Sequence, residues 1–394
     1  MIAVDEALGR LFALCAPVGA ERVPLRRAAG RVLAAPVVAG LDQPPFAASA
    51  MDGYAIREAD HRAGAILNVI GEAAAGKGFS GTIGASEAVR IFTGAPVPEG
   101  AGRVILQEDV TRQGDRIALG DRLDVGSHIR AAGQDFRAGD RIEAPRLLTS
   151  TDLALIAAMN VADVTVARRP VVALLATGNE LVMPGEVPGP DQIIASNGFA
   201  LGALAEAAGA EVRMLPIARD DAESLRFILG LAEGADLIVT IGGASVGDHD
   251  LVGPVTEAMG MERSFYKIAM RPGKPLMAGR LGTSILLGLP GNPVSSIVCG
   301  YIFMLPMLRA LQGLPPAPAP LRRARLARPV AANGPRAHYM RARVETAGDG
   351  ARIAPFERQD SALLSVLAEA NALLVRPVGD AARPEGTEVA YIPL

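Results

Sequence analysis

The chain is predicted to be a multidomain α/β-plus-β protein, and three patterns carry that prediction. Past Pro170, apolar β-type runs alternate with helical stretches; between residues 40 and 139, short β-type runs are punctuated by Gly and Pro; and a proline-dense stretch at 313–320 precedes a last group of strand-like runs. Strand–helix alternation favours a doubly wound parallel sheet with helices on both faces, whereas short strands between turn residues favour mostly β structure. At 394 residues the chain has length for two or three cores, and its 50% hydrophobic and 21% charged content excludes wholesale disorder.

Residues 3–15 put Val4, Leu8, Leu11, Phe12 and Cys15 at helical spacing, closed by Pro17 and Gly19. Strand-like runs follow at 66–70, 89–92, 104–107 and 116–119. A helix is expected to open at Thr149, Ser150 or Thr151, with Asp152 in its first turn, and to reach Met159. The alternating region predicts strands at 171–176, 211–217 and 237–241 and helices at 196–208, 221–233 and 294–311. Strand-like 339–344, 372–375 and 388–392, with a short helix at 361–369, complete the chain. These breaks divide it into a discontinuous unit of residues 1–39 and 140–170, a β insert of 40–139, an α/β unit of 171–314 and a C-terminal β unit of 315–394.

Composition removes several function classes. Two cysteines, Cys15 and Cys299, supply neither a disulfide framework nor a multi-cysteine metal site, which makes a reducing cytoplasm the expected compartment. With 39 basic and 42 acidic residues intermixed and a net charge of −3, no global field favours nucleic acid. The N-terminus carries Asp5 and Glu6 in place of a basic n-region, so no export signal is expected. The most apolar segment, 297–308, contains Pro306 and falls short of the roughly 20 residues of a membrane span. It reads as a buried helix, and no membrane partner is expected.

In a sheet of this kind ligands bind beyond the carboxyl ends of the strands. The loop after 237–241 reads Gly242-Gly243-Ala244-Ser245-Val246-Gly247-Asp248-His249-Asp250. Glycine amides approach an anion closely, so phosphate is the implied ligand, although neither the Walker nor the dinucleotide pattern is present. Asp248 and Asp250 suit a divalent cation shared with phosphate, or Asp250 caps a helix; His249 reads as a solvated bystander. Two further strand exits carry acids. Glu180, in Thr177-Gly-Asn-Glu180, either completes a metal site or closes an ordinary strand. Asp220 either joins it or, like Asp221, caps the next helix.

Only three lysines stand against thirty-six arginines, and two of the three, Lys267 and Lys274, fall inside eight residues. As an extended segment, residues 265–274 place Lys267, Ala269 and Arg271 on one face and Tyr266, Ile268 and Met270 on the other. Such cations, with Lys274 returned by a Pro-Gly turn, suit a phosphate or tetrahedral oxyanion; the alternative is a solvated cationic face. In the β insert, 44–54 joins a proline pair to an Asp52-Gly53 turn, and 92–100 offers the Thr93 hydroxyl and glycine amides. Spacing alone assigns neither a chemistry.

Six segments in order, Ser49-Ala-Met-Asp-Gly-Tyr54, Ile91-Phe-Thr-Gly-Ala-Pro96, Ala176-Thr-Gly-Asn-Glu-Leu181, residues 242–247, Met270-Arg-Pro-Gly-Lys-Pro275 and Leu289-Pro-Gly-Asn-Pro-Val294, resemble the MoeA and gephyrin E-domain family, the molybdopterin molybdenumtransferases. The resemblance covers nearly the whole chain. It implies a homodimer of elongated subunits with a discontinuous dimerisation domain, a β insert, a molybdopterin-binding α/β domain and a C-terminal β-barrel. The implied reaction inserts molybdenum from molybdate into adenylylated molybdopterin, with Mg2+-dependent cleavage of the pyrophosphate link and release of AMP. A molybdopterin adenylyltransferase upstream and molybdoenzymes downstream are the implied partners. Two alternatives stay in view: an adenylyltransferase of the same pterin-binding fold, and a non-catalytic dimeric scaffold.

Carried onto matching positions, the resemblance implies a functional set of Asp52, Thr93, Glu180, Asp220, Asp250, Lys267, Arg271 and Lys274. Glu180, Asp220 and Asp250 would hold magnesium, while Lys267, Arg271 and Lys274 would bind molybdate or phosphate. Asp52 and Thr93 would arrive from the partner subunit's insert. Gly242, Gly243, Ser245, Gly247, Pro290, Asn292 and Ser361 would shape the substrate pocket. The chain departs from the family's commoner pattern at Ala47, Ala48, Gly102 and Arg271, the last keeping the charge of a lysine but changing its donor geometry.

Overall fold

The computed structural model describes residues 1–243, 251–348 and 350–394. Its α/β unit is a six-stranded sheet in the order Glu211–Met214, Val171–Ala176, Leu237–Ile241, Ser284–Leu289, Met277–Leu281, Glu262–Tyr266. The first four strands run parallel, Met277–Leu281 pairs antiparallel to the fourth, and Glu262–Tyr266 pairs antiparallel to Met277–Leu281. Each central strand splits its side chains between two cores with the period of two that a pleat imposes. Val172 and Leu174 pack on one face against helices Asn197–Ala207 and Pro293–Cys299; Ala173 and Leu175 pack on the other against Ala222–Gly230 and Val252–Ala258.

Helix Val4–Leu14 buries Leu8 and Leu11 in that first core, packing against Glu262–Tyr266, Met277–Leu281 and Leu305–Leu311. It therefore packs with the α/β unit, although the break at residue 39 groups it with 140–170. The rest of that discontinuous unit is a four-stranded sheet, Ala20–Pro24, Asp163–Ala167, Val32–Leu33 and Arg146–Leu147, under helix Ser150–Ala158. Of the three candidate caps for this helix, Thr149 is the one used. It accepts from the Asp152 N–H, and Asp152 Oδ2 accepts from the Thr149 N–H at 2.9 Å.

Residues 40–139 leave between Val32–Leu33 and Arg146–Leu147 and form a six-stranded sheet with a separate apolar cluster on each face. The C-terminal strands Ala337–Ala347, Gly350–Pro355, Arg322–Leu326, Glu388–Pro393 and Ala372–Arg376 close into a five-stranded barrel through the pairing of the first with the last. Met270–Arg271 joins its edge in parallel to Ala337 and His338.

Two expectations change in detail. The segment 265–274 is not one strand. Tyr266 ends the α/β edge strand, Lys267 turns with φ of +66°, and the chain resumes at Met270 in the barrel sheet. The alternation survives, with Ile268 and Met270 fully buried, but across two sheets. The helix expected at 294–311 spans Pro293–Leu311, 19 residues whose apolar window is 83% buried within the protein, but it is not α-helical throughout. A π-helical turn at Gly300–Met304 precedes Pro306, and its wider hydrogen-bonding step accommodates the N–H that proline lacks.

Candidate active site at the strand ends of the α/β unit

Strands Val171–Ala176 and Leu237–Ile241 end side by side, with Ala176 in register with Ile241, so the loops beyond them surround one cleft. The cleft encloses about 620 Å3, and its walls include Thr177, Glu180, Asp220, Gly242, Gly243, Pro290 and Asn292. Gly242 and Gly243 adopt φ of +94° and +61°; a Cβ on Gly242 would stand 2.9 Å from the Thr177 carbonyl oxygen, and one on Gly243 would stand 2.5 Å from Val252 Cγ2. The turn off the strand therefore needs glycine twice, and bare backbone lines the cleft.

Two carboxylates reach this cleft from neighbouring strand exits. Asp221 Oδ1 accepts from the Ser224 N–H at 2.7 Å and caps helix Ala222–Gly230, which leaves Asp220 to the cleft. A reciprocal pair then holds Asp220. The Asn179 N–H donates to Asp220 Oδ2 at 3.1 Å, and the Asp220 N–H donates to Asn179 Oδ1 at 3.2 Å. The exits bearing Glu180 and Asp220 are thus latched together. Beside them the Thr177 hydroxyl is buried and has no hydrogen-bond partner among the described residues.

The barrel supplies another wall. Ser361 O accepts from the Val294 N–H at 3.1 Å, its Oγ accepts from Asn292 Nδ2 at 3.1 Å, and Ala362 lines the cleft. Arg341 steadies this loop. Its side chain is fully buried, Nη2 donates to the carbonyls of Arg358 and Asp360 at 3.2 and 3.0 Å, and Nε and Nη1 have no partner among the described residues. Burial pushes its pKa down.

The basic segment divides. Pro275 lines the cleft, with Lys274 exposed immediately before it. Lys267 Nζ lies 5.0 Å from the Tyr266 ring centroid. Arg271 turns to the barrel, where Nη2 donates to Asn333 Oδ1 at 3.3 Å. Asp52 and Thr93 meet each other on the insert: the Thr93 N–H and hydroxyl both donate to Asp52 Oδ1 at 2.8 Å. These two bonds, the backbone one first, hold the half-buried Asp52 carboxyl below its ordinary pKa. Neither residue lines the strand-end cleft of its own chain. Ser245, Gly247 and Asp250 lie outside the described residues, and among the described residues no group of three His, Cys, Asp or Glu side chains is placed to hold a metal ion.

Three residues at or near these sites went unread in the sequence. Asn179 sits inside a motif already singled out, and its amide is visible only once the 220 loop lies beside it. Arg341 reads as an ordinary strand arginine. Arg90 stacks between the rings of Tyr54 and Phe92, at 5.0 and 4.8 Å, and donates to Gly53 O at 3.0 Å, bracing the turn that carries Asp52.

The same architecture recurs in known proteins. Residues 2–160 match the MoeA N-terminal region (domain I and II), 173–310 a probable molybdopterin binding domain, and 323–394 the MoeA C-terminal region (domain IV). The molybdopterin molybdenumtransferase of Haemophilus influenzae is 37% identical over 79% of this chain and 78% of its own length. That of Staphylococcus aureus strain COL is 30% identical over 99% and 95%. A molybdopterin biosynthesis MoeA protein from Pyrococcus horikoshii superposes over 100% of both chains at a TM-score of 0.86 and 27% identity. Motif order, domain order and identity over most of both lengths agree, and the chain belongs to the molybdopterin molybdenumtransferase (MoeA) family.

Proposed function

We propose that this protein inserts molybdenum from molybdate into adenylylated molybdopterin, cleaving the pyrophosphate link and releasing AMP, as a step of molybdenum cofactor biosynthesis. The observation that carries the reading is the latched pair of strand exits, which brings Glu180 and Asp220 to one cleft with the glycine backbone at 242–243. Among the described residues the cleft offers carboxylate oxygens and a buried hydroxyl and no sulfur or imidazole, a donor set that fits a small hard cation. Glu180 and Asp220 would hold Mg2+, together with Asp250 from the segment outside the described residues. Bound there, the ion would offset charge on the phosphates.

The chain's own groups account for the rest. The Gly242–Gly243 backbone admits the phosphates closely, and Asn292 and Ser361 fix the far wall by their mutual hydrogen bond. Lys274 stands at the rim as a compact cation for an oxyanion. Asp52 and Thr93, on the insert, would complete the site of a second copy, so the working unit is a homodimer. A reducing cytoplasm is the matching compartment, with Cys15 and Cys299 unpaired and burial pushing the Cys15 thiol up to about 12.

The test supplies purified protein with adenylylated molybdopterin, molybdate and Mg2+ and measures AMP and molybdenum-loaded product. Wild type releases AMP, and Glu180→Ala loses at least a hundredfold in rate, the scale of removing an electrostatic group from a reaction centre. An intact intermediate after incubation with the wild-type protein overturns the assignment.

A further inference from the structure

Asp52 and Thr93 stand at one end of the insert's six-stranded sheet, and strand register sets what surrounds them. Strand Gly53–Ile56 lies between Glu87–Ile91 and Arg103–Leu106, antiparallel to both, with Gly53 opposite Ile91 and Leu106. The start of the central strand therefore meets the exits of its two neighbours, which lead to Thr93 and Gln107. Gly53 lies tight against one of them, where a Cβ would collide with the Ile105 carbonyl, so only glycine fits. Backbone bonds hold the turn on both sides. The Gly94 N–H donates to Ser49 O and the Ser49 N–H to Ala95 O, each at 2.9 Å, while the Gln107 N–H donates to Asp52 O at 3.1 Å.

Arg90 lies against this turn from one face of the sheet. In register with Tyr54 and two residues before Phe92, its half-buried side chain shares their face, and the guanidinium lies 5.0 and 4.8 Å from the two ring centroids. From there Nη1 donates to Gly53 O at 3.0 Å and Nη2 to Gln107 Oε1 at 2.6 Å. One planar group thus ties the residue after Asp52 to the residue whose backbone holds Asp52. After the two bonds from Thr93, the charge of Arg90 adds to the pull that keeps the Asp52 carboxyl below its ordinary pKa.

We propose that Arg90 is the positioning residue of the insert, whose two donors and two ring contacts fix the direction in which Asp52 and Thr93 are presented to the site of a second copy. The bonds between Thr93 and Asp52 fix those two groups relative to each other; Arg90, with the backbone bonds, fixes the pair relative to the sheet. The inference rests on the proposed reaction and on the place of Asp52 in it.

Steady-state AMP release by the full-length protein, with amide exchange on the same preparations, tests this. Arg90→Gln lowers kcat about tenfold with KM for the adenylylated substrate unchanged, a share of the roughly hundredfold that about 1 Å of misplacement costs. Gln107→Ala, at an exposed partner, keeps the fold, removes one arm of the clamp and lowers kcat about threefold. The Thr93 amide, bonded to Asp52 Oδ1, exchanges faster in Arg90→Gln than in wild type. A double-mutant cycle separates positioning from general stability: in an Asp52→Ala background Arg90→Gln has no further effect on kcat. An unchanged kcat in Arg90→Gln, an equal fall in both backgrounds, or an Asp52→Ala enzyme as active as wild type overturns the inference. Failure of the reaction itself reads differently, as a wild type that releases no AMP; the Thr93 amide then decides alone, faster exchange in Arg90→Gln supporting the clamp and unchanged exchange overturning it.

Discussion

Replacing Asn179 with alanine removes one half of the latch between the two acidic strand exits. The lost bond is the Asp220 N–H to Asn179 Oδ1 contact at 3.2 Å; the Asn179 N–H to Asp220 Oδ2 contact at 3.1 Å is a backbone donor and survives. A neutral hydrogen bond contributes about 1 kcal/mol net, and at an exposed site the loss sits at the lower end of that range, so the unfolding midpoint moves by no more than about 4 °C. The rate is expected to fall much further. With half its tether gone Asp220 samples positions away from the cleft, and misplacement of a reacting group by about 1 Å costs on the order of a hundredfold. The assay measures AMP release at saturating substrate, with Mg2+ titrated, alongside thermal unfolding of the same preparation. A tenfold to hundredfold fall in kcat with a nearly unchanged melt, partly restored by raised Mg2+, is the expected outcome. Unchanged kcat in Asn179→Ala would refute the positioning argument, and so would a fall in kcat that merely tracks a large fall in the melting temperature.

Thr93→Val deletes the hydroxyl bond to Asp52 and keeps the backbone one, so the Asp52 carboxyl pKa rises partway toward its ordinary value, as carboxyl NMR titration measures. The neutral His338 gives an acid sensitivity with a defined sign: between about 6.5 and about 3 the unfolded chain binds a proton that the native state refuses, so stability falls as pH drops through that window. His338→Gln flattens the melting temperature between pH 7 and 4 relative to wild type. Asp380→Ala leaves the 2%-exposed Arg376 without its carboxylate and lowers stability by about 3–5 kcal/mol in urea unfolding, whereas Arg383→Ala, at a 45%-exposed partner, costs under about 1 kcal/mol.

Local and periodic features were legible directly. The helix start was legible to within Thr149, Ser150 and Thr151, with Asp152 in the first turn, while the choice of Thr149 as the cap came with the structure; Val171–Ala176 reads as a buried strand because every residue in it is apolar. The glycine-rich loop at Gly242–Gly243 was legible from its residue types, while the positive φ of both glycines came with the structure. Glu180 and Asp220 both line the strand-end cleft, because parallel strands in register deliver their exits side by side, while Asp250, expected with them, lies outside the described residues.

What depended on distance along the chain was not legible. Nothing local distinguishes Asp220 from Asp221 until one is seen to cap Ser224 and the other to face Asn179, 41 residues away. The alternation of 265–274 was visible, but its division between two sheets at Lys267 was not, and that division sends Arg271 to Asn333, 62 residues on, and leaves Lys274 beside the cleft. Sequence by itself determined the kinds of groups available, the strand and helix periods, and the family through six motifs in order. Only the tertiary structure decided which charges share a cavity, because electrostatic and hydrogen-bonding partners are selected by spatial proximity across loops whose closure the local chain does not specify.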